Sequence, residues 1–260
     1  MKKCTACFSV MFITNVFATD IYNSNNGQLT IPSVNVSGIN YNNVVITVAE
    51  VGKIGGTGGF AIQNVNKILF SKPRTIVINA KDNANPPNQY VMTLNYAPDI
   101  DVTFENQAVN VIKQTVNTAI NGKLAGTFEQ KNYFVKGDLS TQIGQSDDQN
   151  YSIFSNATKP TKNLNIGEFG FLYASVVYSD STKKTVKYYT VNDYSLEQSS
   201  DGASAYACKI ENQFAPSNIS SAPVITKFCF QIDNAGNLLG GVSAILNVNN
   251  GTSNFTGTVQ

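Results

Sequence analysis

Apolar and polar residues alternate along most of the chain with a period of two, the spacing of β-strands that bury one face. The pattern is clearest over 90–96, and over two runs at 228–232 and 242–248 that are joined by turn residues at 233–236. Two such runs around a short turn are typical of a β-hairpin. We therefore predict a mainly β fold, with antiparallel sheets arranged as a sandwich or a barrel.

One segment has a different spacing. Its apolar residues, from Val109 to Leu124, recur every three or four positions, which is the spacing of an amphipathic helix. Asn106 is suited to the N-cap of such a helix and Gly122 to its C-terminal end. We predict one amphipathic helix over about 107–121 that covers one side of a sheet.

The first eighteen residues have the pattern of an export signal. Lys2 and Lys3 precede an apolar run over 6–18, which ends with small residues at the first and third positions before a cleavage point after Ala18. This run is too short to cross a bilayer, which needs about 20 residues. We expect a secreted protein, in the periplasm, at the cell surface or outside the cell, with no membrane-spanning segment after cleavage.

The predicted helix and the leader together divide the chain into four parts. Residues 1–18 are the signal peptide, and 19–105 form an N-terminal β unit. Residues 106–124 are a helix or connector, and 125–260 form a C-terminal β unit.

The composition excludes several kinds of chemistry. The chain has no histidine, so Ser-His and Cys-His nucleophile pairs and histidine bases are absent, as are nearly all catalytic zinc sites. Without the two lysines of the leader, sixteen positive side chains (18 minus 2) face seventeen negative ones, and no basic cluster occurs. This charge balance does not predict the positively charged surface that nucleic-acid binding requires. We predict no cofactor.

The four cysteines fall into two groups. Cys4 and Cys7 belong to the leader, whereas Cys208 and Cys229 remain in the exported chain. A remaining pair of this kind most often forms a disulfide. Closing a loop of about 22 residues contributes on the order of 3 kcal/mol in the chain-entropy model. The alternative, a reactive thiol, has no neighbouring His or Arg that would lower its pKa.

The run NNGQLTIPSVNVSGINYNNVVITV, residues 25–48, contains Gly27, Leu29, Pro32, Gly38 and Tyr41 in a characteristic order. It resembles a short β module near the start of many uncharacterised secreted proteobacterial proteins. The resemblance covers about a tenth of the chain and implies export and β-structure. It implies no activity, and its residues are structural types.

Tyrosines are concentrated in one region, and we predict that five of them form a ligand-binding site: Tyr173, Tyr178, Tyr188, Tyr189 and Tyr194. Tyrosine offers rigid contact area with a polar tip, which suits recognition of sugars or proteins. The alternative is aromatic packing across neighbouring strands.

The acidic residues allow weaker hypotheses. Asp99 and Asp101 would lie on one face of a strand, at a spacing that suits the two carboxyl groups of a glycoside hydrolase. The alternative is that they are solvated charges at a sheet edge. Loops at 147–150 and 233–237 contain oxygen ligands for calcium, although turn formation explains both. We assign no catalytic and no metal-binding residues.

These observations favour an exported, non-catalytic binding protein with an adhesin-like role, whose partner is an unknown extracellular ligand or protein. The first alternative is a structural subunit that assembles outside the cell through exposed strand edges. A lesser alternative is a hydrolase that uses carboxylates or a Ser-Lys pair. An outer-membrane barrel is a further alternative, but most apolar runs are shorter than the about ten residues that its strands need.

Overall fold

The structure of the protein is a computed structural model that describes residues 21–23, 28–36, 39–47, 59–81, 86–155, 157, 163–215, 224–248 and 251–259. The helical residues are a 3₁₀ turn, Ile62–Asn64, and one short helix, α1 (Val65–Phe70). The strands in chain order are β1 (Ile21–Asn23), β2 (Gln28–Val36), β3 (Ile39–Thr47), β4 (Arg74–Lys81), β5 (Gln89–Pro98), β6 (Val102–Phe104), β7 (Gln107–Ile120), β8 (Lys123–Val135), β9 (Gln142–Ser146), β10 (Tyr151–Ser155), β11 (Phe169–Tyr178), β12 (Val186–Gln198), β13 (Ala205–Phe214), β14 (Val224–Ile232), β15 (Leu238–Val248) and β16 (Gly251–Val259).

Twelve of the strands form a closed antiparallel barrel, which confirms the prediction of a mainly β, barrel-like fold. Around the barrel the order is β5-β4-β16-β15-β14-β13-β12-β11-β10-β9-β8-β7, and β7 pairs with β5 to close the ring. The strand β6 pairs with the first residues of β7 and lies outside the ring. Closure satisfies the backbone groups that an open sheet would leave unpaired at its edges.

The predicted helix over 107–121 is wrong, because this segment is the strand β7. The residues taken for helix ends lie instead in two tight turns. Glu105 and Asn106 have φ of 48° and 64°, and Asn121 and Gly122 have φ of 51° and 78°. Two successive residues with positive φ are typical of the type I′ turns that join hairpin strands. The segment 106–124 is therefore the second strand of one hairpin and the first of the next.

The barrel contains strands from both sides of the predicted connector. β4 pairs with β16, and β5 pairs with β7, so the segment from Arg74 to Pro98 completes the same ring as the strands after Leu124. The predicted signal peptide, 1–18, lies outside the described residues. β1, β2 and β3 form a separate antiparallel sheet, and β2 lies against β11. This small sheet includes most of the segment that resembles the secreted β module.

The helix α1 closes one end of the barrel. Ala61 donates its backbone N–H to the Asn234 carbonyl at 2.9 Å, in the turn between β14 and β15. At the other end of the helix, Arg74 Nε and Nη2 donate to the Ile68 carbonyl at 3.3 and 3.1 Å. This arginine is the only one in the chain. None of the helices in the described part of the chain has the length and apolarity that crossing a bilayer requires.

The main hydrophobic core lies inside the barrel, because its members come from opposite sides of the ring. Ile76 and Leu94 from one side and Leu196 and Phe230 from the other share one cluster with Leu69 of α1. Two smaller clusters lie on the outside. One joins β6 to β7 and β8, and the other covers the outward face of β11–β14.

Candidate functional site in the barrel interior

The strands β11–β14 bury both of their faces. Residues paired across an antiparallel ladder lie on the same face. One such row is Leu196, Ala207, Phe230 and Val242, and all four belong to the interior core. The neighbouring interior row contains Tyr194, Lys209 and Phe228, and the next contains Tyr173, Asn192 and Glu211. Moving away from α1, the interior surface therefore changes from apolar to polar.

The structure separates the five predicted tyrosines into two sets. Tyr173 and Tyr194 line a cavity in the barrel interior. Tyr188 is on the same inward face but does not line that cavity, and burial raises its pKa to about 12, with Glu211 and Asp147 adding to the shift. Tyr178 and Tyr189 pack against the outside cluster of β11–β14. The five residues therefore do not form one site.

The cavity has a volume of about 220 Å³ and one wall made of side-chain amides. Gln130 Nε2 donates to Asn132 Oδ1 at 3.0 Å and to Gln145 Oε1 at 2.9 Å. Gln142 Nε2 donates to the same Asn132 oxygen at 3.0 Å. Each donor bond fixes the direction of an amide, so the wall is a connected network of amides from β8 and β9.

The facing wall and the end beneath α1 are aromatic. The Phe70 ring lies 5.4 Å from the Tyr96 ring, and the Phe228 and Phe230 rings are 5.1 Å apart. All four of these rings line the cavity. An apolar cavity wall opposite a few fixed polar groups is the usual construction of a small-molecule site.

One cation lines the cavity. Burial alone would lower the pKa of Lys209, but Tyr173 and the Glu211 carboxylate outweigh burial and raise it. The side chain is therefore charged at neutral pH. Its Nζ atom lies 5.1 Å from the centre of the Tyr173 ring. Among the described residues, no carboxylate lies within ion-pair distance of Lys209.

Two buried polar atoms of the cavity lining have unmet hydrogen-bonding capacity within the described part of the chain: Gln63 Oε1, which has no partner there, and the Tyr173 hydroxyl, whose neighbour is Lys209. Burial raises the pKa of Tyr173, so this hydroxyl keeps its proton. Asn192 Oδ1, in the same interior row as Tyr173, is also buried and finds no partner among the residues that the structure describes. Buried polar groups are almost always hydrogen-bonded, so these atoms require water or a ligand in the interior.

The acidic residues of the hydrolase hypothesis are each held by a lysine. Asp101 contacts Lys136, and Asp99 lies 3.7 Å from Lys131. The Lys136 and Asn110 hydrogen bonds lower the pKa of Asp101. Glycoside hydrolysis needs one carboxyl group with a raised pKa as general acid. This arrangement gives the hydrolase no support.

The candidate calcium loops close their own turns. Asp147 accepts bonds from the backbone N–H groups of Gln149 and Asn150, at 2.7 and 2.8 Å. Asp233 accepts from the backbone N–H and the side-chain amide of Asn237, at 2.8 and 2.9 Å. Turn formation therefore engages both carboxylates without an ion.

The predicted disulfide is confirmed. Cys208 and Cys229 are directly opposite each other on β13 and β14 and form a bond on the outward face. The Glu197 carboxylate lies within 4.8 Å of both sulfurs, but its two oxygens bind Lys227 Nζ, each at 2.9 Å. The possible metal ligands of this cluster are therefore already engaged.

Lys209 and the amide wall were not predicted from the sequence. On β13 the polar residues Lys209, Glu211 and Gln213 alternate with Cys208 and Ile210. In a sheet with one wet face, such an alternation places the polar residues in solvent. In the barrel these residues point inward. An interior site is indicated by aromatic and amide side chains on several strands that are distant in sequence. These side chains face one another only when the strands form a closed barrel.

Fold and site together define a closed β-barrel with an interior cavity that has one cationic, one amide and one aromatic side. A scan against protein-family models, a search of curated proteins and a search of solved structures each find no match to the chain.

Proposed function

We propose that the protein is an exported, non-catalytic binding protein that holds a small molecule inside its barrel, at the cell surface or outside the cell. The observation that carries the proposal is the cavity of about 220 Å³, whose lining includes buried polar atoms with hydrogen-bonding capacity that the described residues leave unmet. A ligand that reaches these atoms replaces confined water and gains bonds that the protein alone does not make.

The shape of the site supports binding rather than catalysis. Its polar groups are amides, phenols, one lysine and the Ser140 hydroxyl, which donates to Asp138; such groups hold and orient a molecule. Gln63 and Asn66 belong to the cavity lining beside α1 and are half-exposed, so we propose that the cavity opens to the surface there. A molecule can therefore enter at the end of the barrel that the helix covers.

A blocked cavity tests the proposal. Ala207 is buried and lines the cavity, so Ala207→Leu fills part of it, whereas Ala108→Leu makes the same change at an exposed position of β7. Thermal unfolding is measured with a panel of polyols, amino acids, amines and small acids. We expect at least one compound to raise the Tm of the wild type and of Ala108→Leu but not of Ala207→Leu. No shift with any compound, or a shift that survives Ala207→Leu, contradicts the proposal.

Export is tested separately. The full chain is expressed with its own leader in a Gram-negative host, and the N-terminus of the protein is sequenced from the periplasm and the medium. We expect the exported protein to begin at Thr19, with the Cys208–Cys229 bond formed. A chain that stays in the cytoplasm and starts at Met1 contradicts export.

A second candidate, self-assembly through a strand edge, is favoured by the far end of β8. Seven consecutive residues, Lys123–Glu129, are exposed there, including Leu124 and Phe128. An exposed apolar strand is a place where another chain can pair. Light scattering on a size-exclusion column tests it, with Leu124→Lys as the variant. Large species that dissociate in the variant support assembly, and a monomer at all concentrations excludes it.

A further inference from the structure

We propose that the ligand is a small carboxylic acid with an apolar body, and that Lys209 and Tyr173 bind its carboxylate. This inference rests on the proposed function, since it names the class of molecule that the cavity holds. Two features carry it: the Lys209 cation beside the buried Tyr173 hydroxyl, and a change from polar to apolar surface along the cavity.

Lys209 is placed to meet an anion. It lies in the interior row between Tyr194 and Phe228, so an aromatic side chain flanks it on each neighbouring strand. Glu211 lies two residues further along the same face of β13, and its carboxylate accepts a hydrogen bond from Gln213 Nε2 at 2.9 Å. Among the described ion pairs, none joins Glu211 to Lys209. A charged amine in partly buried surroundings gains most from a charged acceptor.

Tyr173 supplies the second donor. Its side chain is buried, its ring stacks on Phe154 at 3.9 Å, and the hydrogen-bonding neighbour of its hydroxyl among the described residues is Lys209. The stacking fixes the ring, so the hydroxyl keeps one direction when the ligand arrives. A carboxylate has two oxygens, and it can therefore accept from the Tyr173 hydroxyl and from Lys209 at once.

The apolar body of the ligand fits the other end of the cavity. From the Lys209 row toward α1, the interior becomes the row of Leu196, Ala207 and Phe230. Leu69 and Phe70 of α1 line the same end. The site is thus amphipathic along its length, with the cation in the middle of the barrel and the apolar surface beneath the helix.

A matched pair of probes tests the charge requirement. Binding of 3-phenylpropionate and of 3-phenylpropionamide is measured by calorimetry at pH 7, and the two probes differ only in the anionic group. The proteins are the wild type, Lys209→Met, Tyr173→Phe and, as a control, Lys123→Met, which removes an exposed lysine at the far end of β8. The variants are first compared with the wild type by circular dichroism.

We expect the wild type and Lys123→Met to bind the acid at least tenfold more tightly than the amide. Lys209→Met should weaken binding of the acid by about tenfold to a hundredfold and leave the amide unchanged, because only the charge-assisted bond is lost. Tyr173→Phe should weaken binding of the acid by up to about tenfold.

Two results overturn the inference and are distinguishable from each other. Equal binding of acid and amide that Lys209→Met does not change excludes an anion anchor but leaves the cavity as a binding site. Absence of binding by both probes overturns the inference, and the Ala207→Leu panel then decides whether the proposed function also fails.

Discussion

The ion pair between Lys227 and Glu197 lies on the outward face of β12–β14 and is nearly shielded from water. Their side chains are 2% and 13% exposed, and Lys227 Nζ lies 2.9 Å from both carboxylate oxygens. We predict that Lys227→Met destabilises the protein by about 3–5 kcal/mol, because it leaves a buried carboxylate without its cation. The double replacement Lys227→Met with Glu197→Met should recover most of this loss, since no charge is then left behind.

The chain contains a matched control for this prediction. Lys113 and Glu129 form a cross-strand pair at 2.8 Å, but their side chains are 40% and 57% exposed. Solvent screens such a pair, so Lys113→Met should cost only about 0.2–1 kcal/mol. The two pairs have nearly equal distances, and burial is the main difference between them.

The free energy of unfolding is measured in urea at low and high salt for the wild type, the two single lysine variants and the double variant. The loss for Lys113→Met should shrink in high salt, and the loss for Lys227→Met should persist, because buried charges are screened less. If Lys227→Met costs no more than Lys113→Met, or if the double variant is as unstable as Lys227→Met alone, an unpaired buried charge is not the cause of the loss.

Three further predictions concern the disulfide, the helix and the stability of the fold at acidic pH. Replacing both Cys208 and Cys229 with Ala should lower the free energy of unfolding by about 3 kcal/mol, because the disulfide closes a loop with a sequence separation of 21. The free energy is measured by urea unfolding, and a loss below about 1 kcal/mol contradicts this prediction. Arg74→Met removes both hydrogen bonds to the Ile68 carbonyl, so hydrogen exchange of the backbone amides over 65–70 should become about tenfold faster. As a control, Lys72→Met, at an exposed neighbouring position, should leave the exchange rates unchanged. Bonds from the Ser204 side chain and from the Ser204 and Ala203 backbone lower the pKa of Asp201 from 3.8 to about 2. This group stabilises the fold above the unfolded pKa and loses that effect as the pH falls through the folded pKa. Asp201→Asn should therefore lower the Tm at pH 7, and the difference from the wild type should vanish near pH 2; a difference that is constant with pH excludes the linkage.

The alternation of apolar and polar residues correctly predicted a mainly β fold, because the alternation is visible in strands that bury only one face. The alternation over 90–96 corresponds to β5, and the runs around 233–236 correspond to the hairpin of β14 and β15. The disulfide was predictable because only two cysteines remain outside the leader. Both features can be read from the sequence alone, because strand alternation involves residues that are close along the chain and the disulfide follows from the number of cysteines.

The helix prediction failed because β7 is buried on both faces over its first half. Val109 and Val111 pack outward beneath β6, and Ile112 packs into the interior core. Apolar residues on both faces interrupt the period of two and leave spacings of three and four. The Asn121-Gly122 pair was the overlooked signal, since Asn-Gly between two runs is the strongest short-range mark of a hairpin.

The candidate site was predictable only in part. Tyr173 and Tyr194 were among the five predicted residues, but their separation from Tyr178 and Tyr189 depends on which face points into the ring. Lys209 and the amides of β8 and β9 belong to strands that are far apart in sequence. Their meeting is a consequence of barrel closure through β5 and β7, which pattern alone does not specify.

The position of a bound ligand can be read from the tyrosines, because some line the cavity and others lie outside the barrel. Tyrosine ring signals are assigned by NMR on labelled protein, and 3-phenylpropionate is added. If the ligand binds in the barrel interior, the signals of Tyr173 and Tyr194, which line the cavity, should shift, and those of Tyr178 and Tyr189, which pack on the outside, should not. Shifts confined to Tyr178 and Tyr189, with Tyr173 and Tyr194 unchanged, would exclude binding in the interior.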